Sequence, residues 1–88
     1  MTVYVDSLKL TPKTRSWPYL ESCHLFADTI QELHDFARTL GLQRAWFQDK
    51  RLKHYDLTAH RREKAVKLGA IEVTSREMVE HVREKAQP

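Results

Sequence analysis

The chain has 88 residues, a net charge of +3 and 41% hydrophobic content, which describes one folded domain rather than a disordered chain. No apolar run approaches the roughly 20 residues of a membrane helix. Met1-Thr2-Val3-Tyr4-Val5-Asp6 lacks the basic start and apolar middle of a signal peptide.

The charge is unevenly placed. Residues 43–67 hold eight basic and three acidic groups, a net of +5, and the remainder is −2. Such a segment favours an anionic partner, although half of it would also suit a solvated helix face. The one cysteine, Cys23, cannot form an internal disulfide or a thiolate cluster, and reads as a buried thiol in a reducing cytoplasm.

In chain order, Thr2-Val3-Tyr4-Val5 is β-branched and aromatic and reads as a strand, with Asp6 at its end. Residues 7–22 have no clear period. They form a long loop around Trp17-Pro18-Tyr19, with room for a short strand at Leu8-Lys9-Leu10. Cys23 to Phe26 reads as a second strand. Asp28 and Thr29 are alternative helix caps, and Ile30, Leu33, Ala37 and Leu40 recur at helical spacing up to the Gly41 stop. His34 lies on that apolar side as a packing residue.

Arg44-Ala45-Trp46-Phe47 reads as the third strand. A basic loop follows, carrying Lys50, Arg51, Lys53, His54, Tyr55 and Asp56, and Thr58 caps a short helix ending at Gly69. Ala70 to Val73 is the fourth strand. Thr74 and Glu77 make a capping box, and Met78, Val79, Val82 and Ala86 give the last helix an apolar stripe. Ala37-Arg38-Thr39-Leu40-Gly41-Leu42 echoes Ala65-Val66-Lys67-Leu68-Gly69-Ala70. The alternation predicts an α/β fold: a small, mostly parallel four-stranded sheet with about three helices packed on it.

Ligands of such sheets bind beyond the strand C-termini. That edge would gather Asp6, Asp28 and Asp56, the imidazoles of His24 and His54, and a basic rim of Lys50, Arg51, Lys53 and Arg62, with Tyr55 beside them. Carboxylates with imidazoles can hold a divalent metal, and a His–Asp pair can exchange protons with a phosphate ester. Taken singly, each residue also has an ordinary structural explanation. Asp28 serves as a cap, Asp56 as a turn residue, His24 and Tyr55 as packing groups. No Walker loop, dinucleotide glycine motif or metalloprotease helix motif is present.

Across nearly the whole chain these residues resemble a widespread family of short bacterial and phage proteins catalogued only as a domain of unknown function. The resemblance rests on Val3-Tyr4-Val5-Asp6, His24 with Ala27-Asp28-Thr29, Glu32-Leu33-His34, Leu40-Gly41, Trp46-Phe47, His54-Tyr55-Asp56 and Leu68-Gly69-Ala70. It implies a site and no chemistry. Many members carry a second acidic residue after the first strand, where this chain has Ser7, which weakens a two-carboxylate metal scheme at Asp6.

Two expectations from different classes follow. In the first, a phosphate- or nucleotide-directed site performs hydrolysis or transfer, with a divalent metal as an option. His54 is acid or base, Asp56 or Asp6 is orienter or metal ligand, and His24, Asp28, Lys53, Tyr55 and Arg62 contact the ligand. In the second, a non-enzymatic phage or bacterial accessory protein binds nucleic acid or an acidic protein through residues 43–67. A core this small is also consistent with a homo-oligomer.

Overall fold

The computed structural model describes residues 2–15 and 17–86. The elements are β1 (Val3–Val5), β2 (Lys9–Leu10), β3 (Glu21–Ala27), α1 (Ile30–Thr39), a 3₁₀ turn (Arg44–Trp46), β4 (Gln48–Asp49), β5 (Lys53–Leu57), α2 (Ala59–Lys67), β6 (Ile71–Glu72) and α3 (Ser75–Ala86).

The helix boundaries follow local chemistry. Thr29 caps α1 and shares a box with Glu32, whose N–H donates to the Thr29 hydroxyl at 3.2 Å. Thr58 caps α2 through the Arg61 N–H at 3.2 Å, and Thr74 and Glu77 bond reciprocally ahead of α3. Both glycine stops adopt positive φ, 79° at Gly41 and 111° at Gly69. Each is followed by the same pair of closing bonds, to Arg38 and Ala37 in one case and to Val66 and Ala65 in the other. The echo in the sequence is therefore a repeated helix-ending motif.

The sheet departs from expectation. It is mixed and six-stranded, ordered β4-β5-β3-β1-β6, with β2 paired to β3. Among the described residues only β1 and β6 pair in parallel; β1–β3, β2–β3, β3–β5 and β4–β5 are antiparallel. Two hairpins cause this. The chain returns from β1 to β3 without a crossover helix. Among the described residues, the connection between them carries β2, the short strand anticipated at Leu8-Lys9-Leu10, which pairs antiparallel with the start of β3. After α1, the expected third strand at Arg44 to Phe47 is a 3₁₀ turn. The β4–β5 hairpin then reverses the chain once more. His54, Tyr55 and Asp56, expected on a loop, thus form the middle of strand β5.

Strand alternation gives the sheet two unlike faces. Val3, Val5, Cys23, Leu25, Tyr55 and Leu57 form the core with Leu33, Phe36 and Ala37 of α1 and Ala65 of α2. The opposite face carries Tyr4, Asp6, His24, Phe26, His54 and Asp56. There α3 places His81 against the rings of Tyr4 and Phe26, with centroids 5.3 and 5.2 Å away. The expected α3 stripe is only partly covered, since Val79 is exposed; the Ala86 side chain lies outside the described residues. No helix among the described residues is long and apolar enough to cross a membrane.

Cys23 belongs to the core face. Burial pushes its thiol up to about 12, which leaves almost no thiolate at neutral pH. The native protein should therefore resist a thiol-labelling reagent and react fully once denatured. Rapid labelling without denaturant would show a thiol more accessible than this packing allows.

Candidate metal centre

Strand register assembles a polar row on the open face. The Asp6 N–H donates to the His24 carbonyl at 3.3 Å, and His24 lies opposite Asp56. Asp6, His24 and Asp56 therefore stand side by side across β1, β3 and β5. His54 is two residues before Asp56 on the same face, and Gln48 of β4 pairs opposite it.

Both histidines are held through Nδ1. Asp6 is fully buried and accepts twice from His24, from its N–H at 2.6 Å and from its Nδ1 at 2.7 Å. His54 is 7% exposed, and its Nδ1 donates to the Leu52 carbonyl at 2.6 Å. A carbonyl or carboxylate only accepts, so each Nδ1 carries the proton. In the neutral rings Nε2 is then left with a lone pair. His54 Nε2 lies 3.4 Å from Asp56 Oδ1, and the two imidazole centroids are 4.7 Å apart, edge to face. Asp56 Oδ2 accepts a hydrogen bond from Gln48 Nε2.

One ligand atom each from His24, His54 and Asp56 lies within 4.8 Å of the others. Ligands about 2.1 Å from a tetrahedral ion are about 3.4 Å apart, which matches the His54–Asp56 separation. The Asp6–His24 and Leu52–His54 bonds are of the kind that fix ring orientation where imidazoles do ligate a metal.

Charge coupling runs through the same atoms. Burial raises the Asp6 carboxyl, but the hydrogen bonds and charge of His24 outweigh it and leave the group below its ordinary value. The hydrogen bond from His54 lowers Asp56 against burial, with further lowering from Gln48 and His24. Burial opposes protonation of His54, yet Asp56 and the Leu52 carbonyl together raise it.

These shifts have opposite pH signatures in metal-free protein. Asp6 and Asp56 contribute stability above the unfolded carboxylate pKa of about 3.9 and lose it as pH falls through their lower folded values. His54 contributes fully below about 6.5 and loses that contribution as pH rises through its raised folded value. Their combined contribution should peak at about pH 5–6. Thermal unfolding in EDTA across pH should show the alkaline decline flattened in Asp56→Asn. A parallel decline in both proteins would mean that the pair adds nothing.

A family model matches residues 3–85, described as Protein of unknown function (DUF4031). The chain belongs to that family. No curated protein and no solved structure matches it with significance. The family's description names no chemistry, so the geometry has to supply it.

The residues singled out from the sequence fall in three places. Asp6, His24, His54 and Asp56 converge. Asp28 sits at the other end of the sheet, because antiparallel β3 reverses which of its ends faces the site; it accepts from the Tyr4 hydroxyl at 3.0 Å. Lys53, at the far end of β5, pairs with Asp49 across the hairpin. Tyr55 is 1% exposed on the core face and bonds His34 through its hydroxyl at 2.8 Å. Arg62 donates through Nε to the Asp6 carbonyl at 2.9 Å and pairs with Glu72 at 3.0 Å, so it ties α2 to the ends of β1 and β6. The basic residues of 43–67 are split between the two ends of β5, about 13 Å apart at strand rise.

The Leu52 carbonyl and a neighbouring cleft were not identified as parts of a site from sequence. The cleft, of about 570 Å³, is lined by Thr11, Trp17, Tyr19, Trp46, Arg61 and Asp56, among others. The only sequence sign of it was the Trp17-Pro18-Tyr19 loop; Trp46 read as strand packing.

Proposed function

We propose that this protein is a metal-dependent hydrolase of phosphate esters, with His24, His54 and Asp56 as ligands. The observation that carries the reading is that both imidazoles are anchored through Nδ1, which leaves Nε2 as the second ring nitrogen of each, and that His54 Nε2 faces the Asp56 carboxylate at 3.4 Å. Two nitrogens and one oxygen suit zinc, manganese or ferrous iron, and leave coordination positions open for water and substrate. A metal held by His24, His54 and Asp56 would supply hydroxide near neutral pH by lowering the pKa of its bound water, and hydrolysis of the ester P–O bond would leave the departing oxygen to take its proton from solvent. With Nδ1 on a carbonyl and Nε2 on the metal, His54 acts as a ligand in this scheme rather than as acid or base. Asp6 positions His24 and does not touch the substrate.

Calorimetric titration with Zn²⁺ and Mn²⁺ tests the centre, with bis(p-nitrophenyl) phosphate as a turnover probe. Wild type should bind about one equivalent and release nitrophenol in a metal-dependent way. His24→Ala should lose both properties while its circular dichroism is unchanged. Wild type that takes up neither ion at millimolar concentration would end this reading.

A further inference from the structure

We propose that the cleft between the 11–22 arm and the Trp46–Arg61 wall binds a single unpaired nucleobase, with the attached phosphate turned toward Asp56. This deepens the hydrolase reading and rests on it for the direction of the phosphate.

Four observations carry the proposal. First, the cleft shares Asp56 and its partner Gln48 with the metal centre, so a ligand in the cleft lies beside the reacting position. Second, its walls are aromatic. Trp17 and Tyr19 meet edge to face at 5.1 Å on one side, and Trp46, 45% exposed, stands on the other. Every base has a π-face, and stacking on such rings is tolerant of base identity. Third, the floor is polar. Ser22 lies two residues before His24 on the open face, and Ser22, Gln48, Thr11 and Thr58 offer the donors and acceptors that a base edge requires. Fourth, the charge is suitable. The Arg61 guanidinium lies 5.5 Å from the Trp46 ring, and α2 starts at the cleft with Thr58 as its cap, placing positive potential at the mouth.

The volume of about 570 Å³ falls within the range of small-molecule sites, about 300–1,000 Å³. A base stacked within a duplex does not offer its faces to these rings, so the aromatic lining favours an unpaired one. The base can belong to a free nucleotide or to a single strand.

The test uses the full chain in EDTA, following tryptophan fluorescence. The probes are AMP, ribose 5-phosphate, a short oligothymidylate and a blunt duplex. AMP and the oligonucleotide should quench and saturate; ribose 5-phosphate and duplex should bind at least tenfold more weakly. Tighter binding of the oligonucleotide than of AMP identifies a strand as the ligand, and equal binding identifies a nucleotide. Trp46→Ala should weaken both about tenfold or more and leave calorimetric Zn²⁺ affinity unchanged. Arg61→Ala, a second variant in the cleft lining, should weaken AMP in the same direction.

Ribose 5-phosphate binding as tightly as AMP, duplex binding as tightly as single strand, or wild-type affinity in Trp46→Ala would each overturn the proposal. Nucleotide binding without any metal binding would uphold the base cleft and remove the hydrolase reading. Metal-dependent hydrolysis without preference for a base would do the reverse.

Discussion

Asp6→Asn is expected to fold and yet lose about 10–100-fold in metal affinity, the range seen when an outer-shell partner is removed. Asp6 is fully buried, and its two oxygens have different duties. Oδ1 accepts from the His24 N–H and would be kept by the amide oxygen of Asn. Oδ2 accepts from His24 Nδ1, and Asn places an N–H donor there. The imidazole must then accept at Nδ1 and move its proton to Nε2, the atom needed by the metal. Asp6→Ala should do worse, adding a loss of about 1–3 kcal/mol because a buried donor of β3 is left without a partner. Zinc calorimetry beside thermal unfolding in EDTA separates the two effects. Wild-type zinc affinity in Asp6→Asn would show that His24 is not held as a ligand through Asp6.

The same residue shows how much was legible beforehand. Asp6 at the end of an apolar run and His24 inside one were readable as polar exceptions, and His54 and Asp56 as an imidazole and a carboxylate in a basic segment. Helix limits were readable for the same local reason, since Thr29, Thr58, Thr74, Gly41 and Gly69 act within one turn of where they stand. Strand direction was not local. It depended on two hairpins with weak signatures, one through a long arm and one through Lys50-Arg51-Leu52, which has neither glycine nor asparagine to mark a tight turn. Misplacing the second hairpin put His54-Tyr55-Asp56 on a loop, and a loop hides alternation. On a strand the same triplet sends His54 and Asp56 to one face and Tyr55 to the other. This is why Tyr55 was grouped with the ligand contacts. Asp28 was grouped with them because a parallel β3 would have ended at the site edge.

Tyr55 gives the largest expected stability effect. Its ring is 1% exposed between α1 and the sheet, tilted against Phe47 at 5.7 Å, and its hydroxyl meets His34 Nδ1 at 2.8 Å. Burial raises the phenol, so it stays protonated, and burial lowers His34, so the imidazole stays neutral. A hydrogen bond joins the hydroxyl to Nδ1, and the other ring nitrogen, Nε2, is buried with no hydrogen-bond partner among the described residues. Tyr55→Ala should destabilise by about 3–5 kcal/mol, as aromatic truncations in a core do. Tyr55→Phe keeps the packing and should cost about 1 kcal/mol for the lost bond to His34. Neither change touches the face that carries His24, His54 and Asp56, so Tyr55→Phe should bind Zn²⁺ and AMP as wild type does. Denaturant unfolding of both variants, with titration of Tyr55→Phe, decides between core and ligand roles. A Tyr55→Phe protein of wild-type stability that has lost ligand affinity would place the phenol in the site. Strand β5 would then have to present Tyr55 on the same face as its two neighbours, which its alternation forbids.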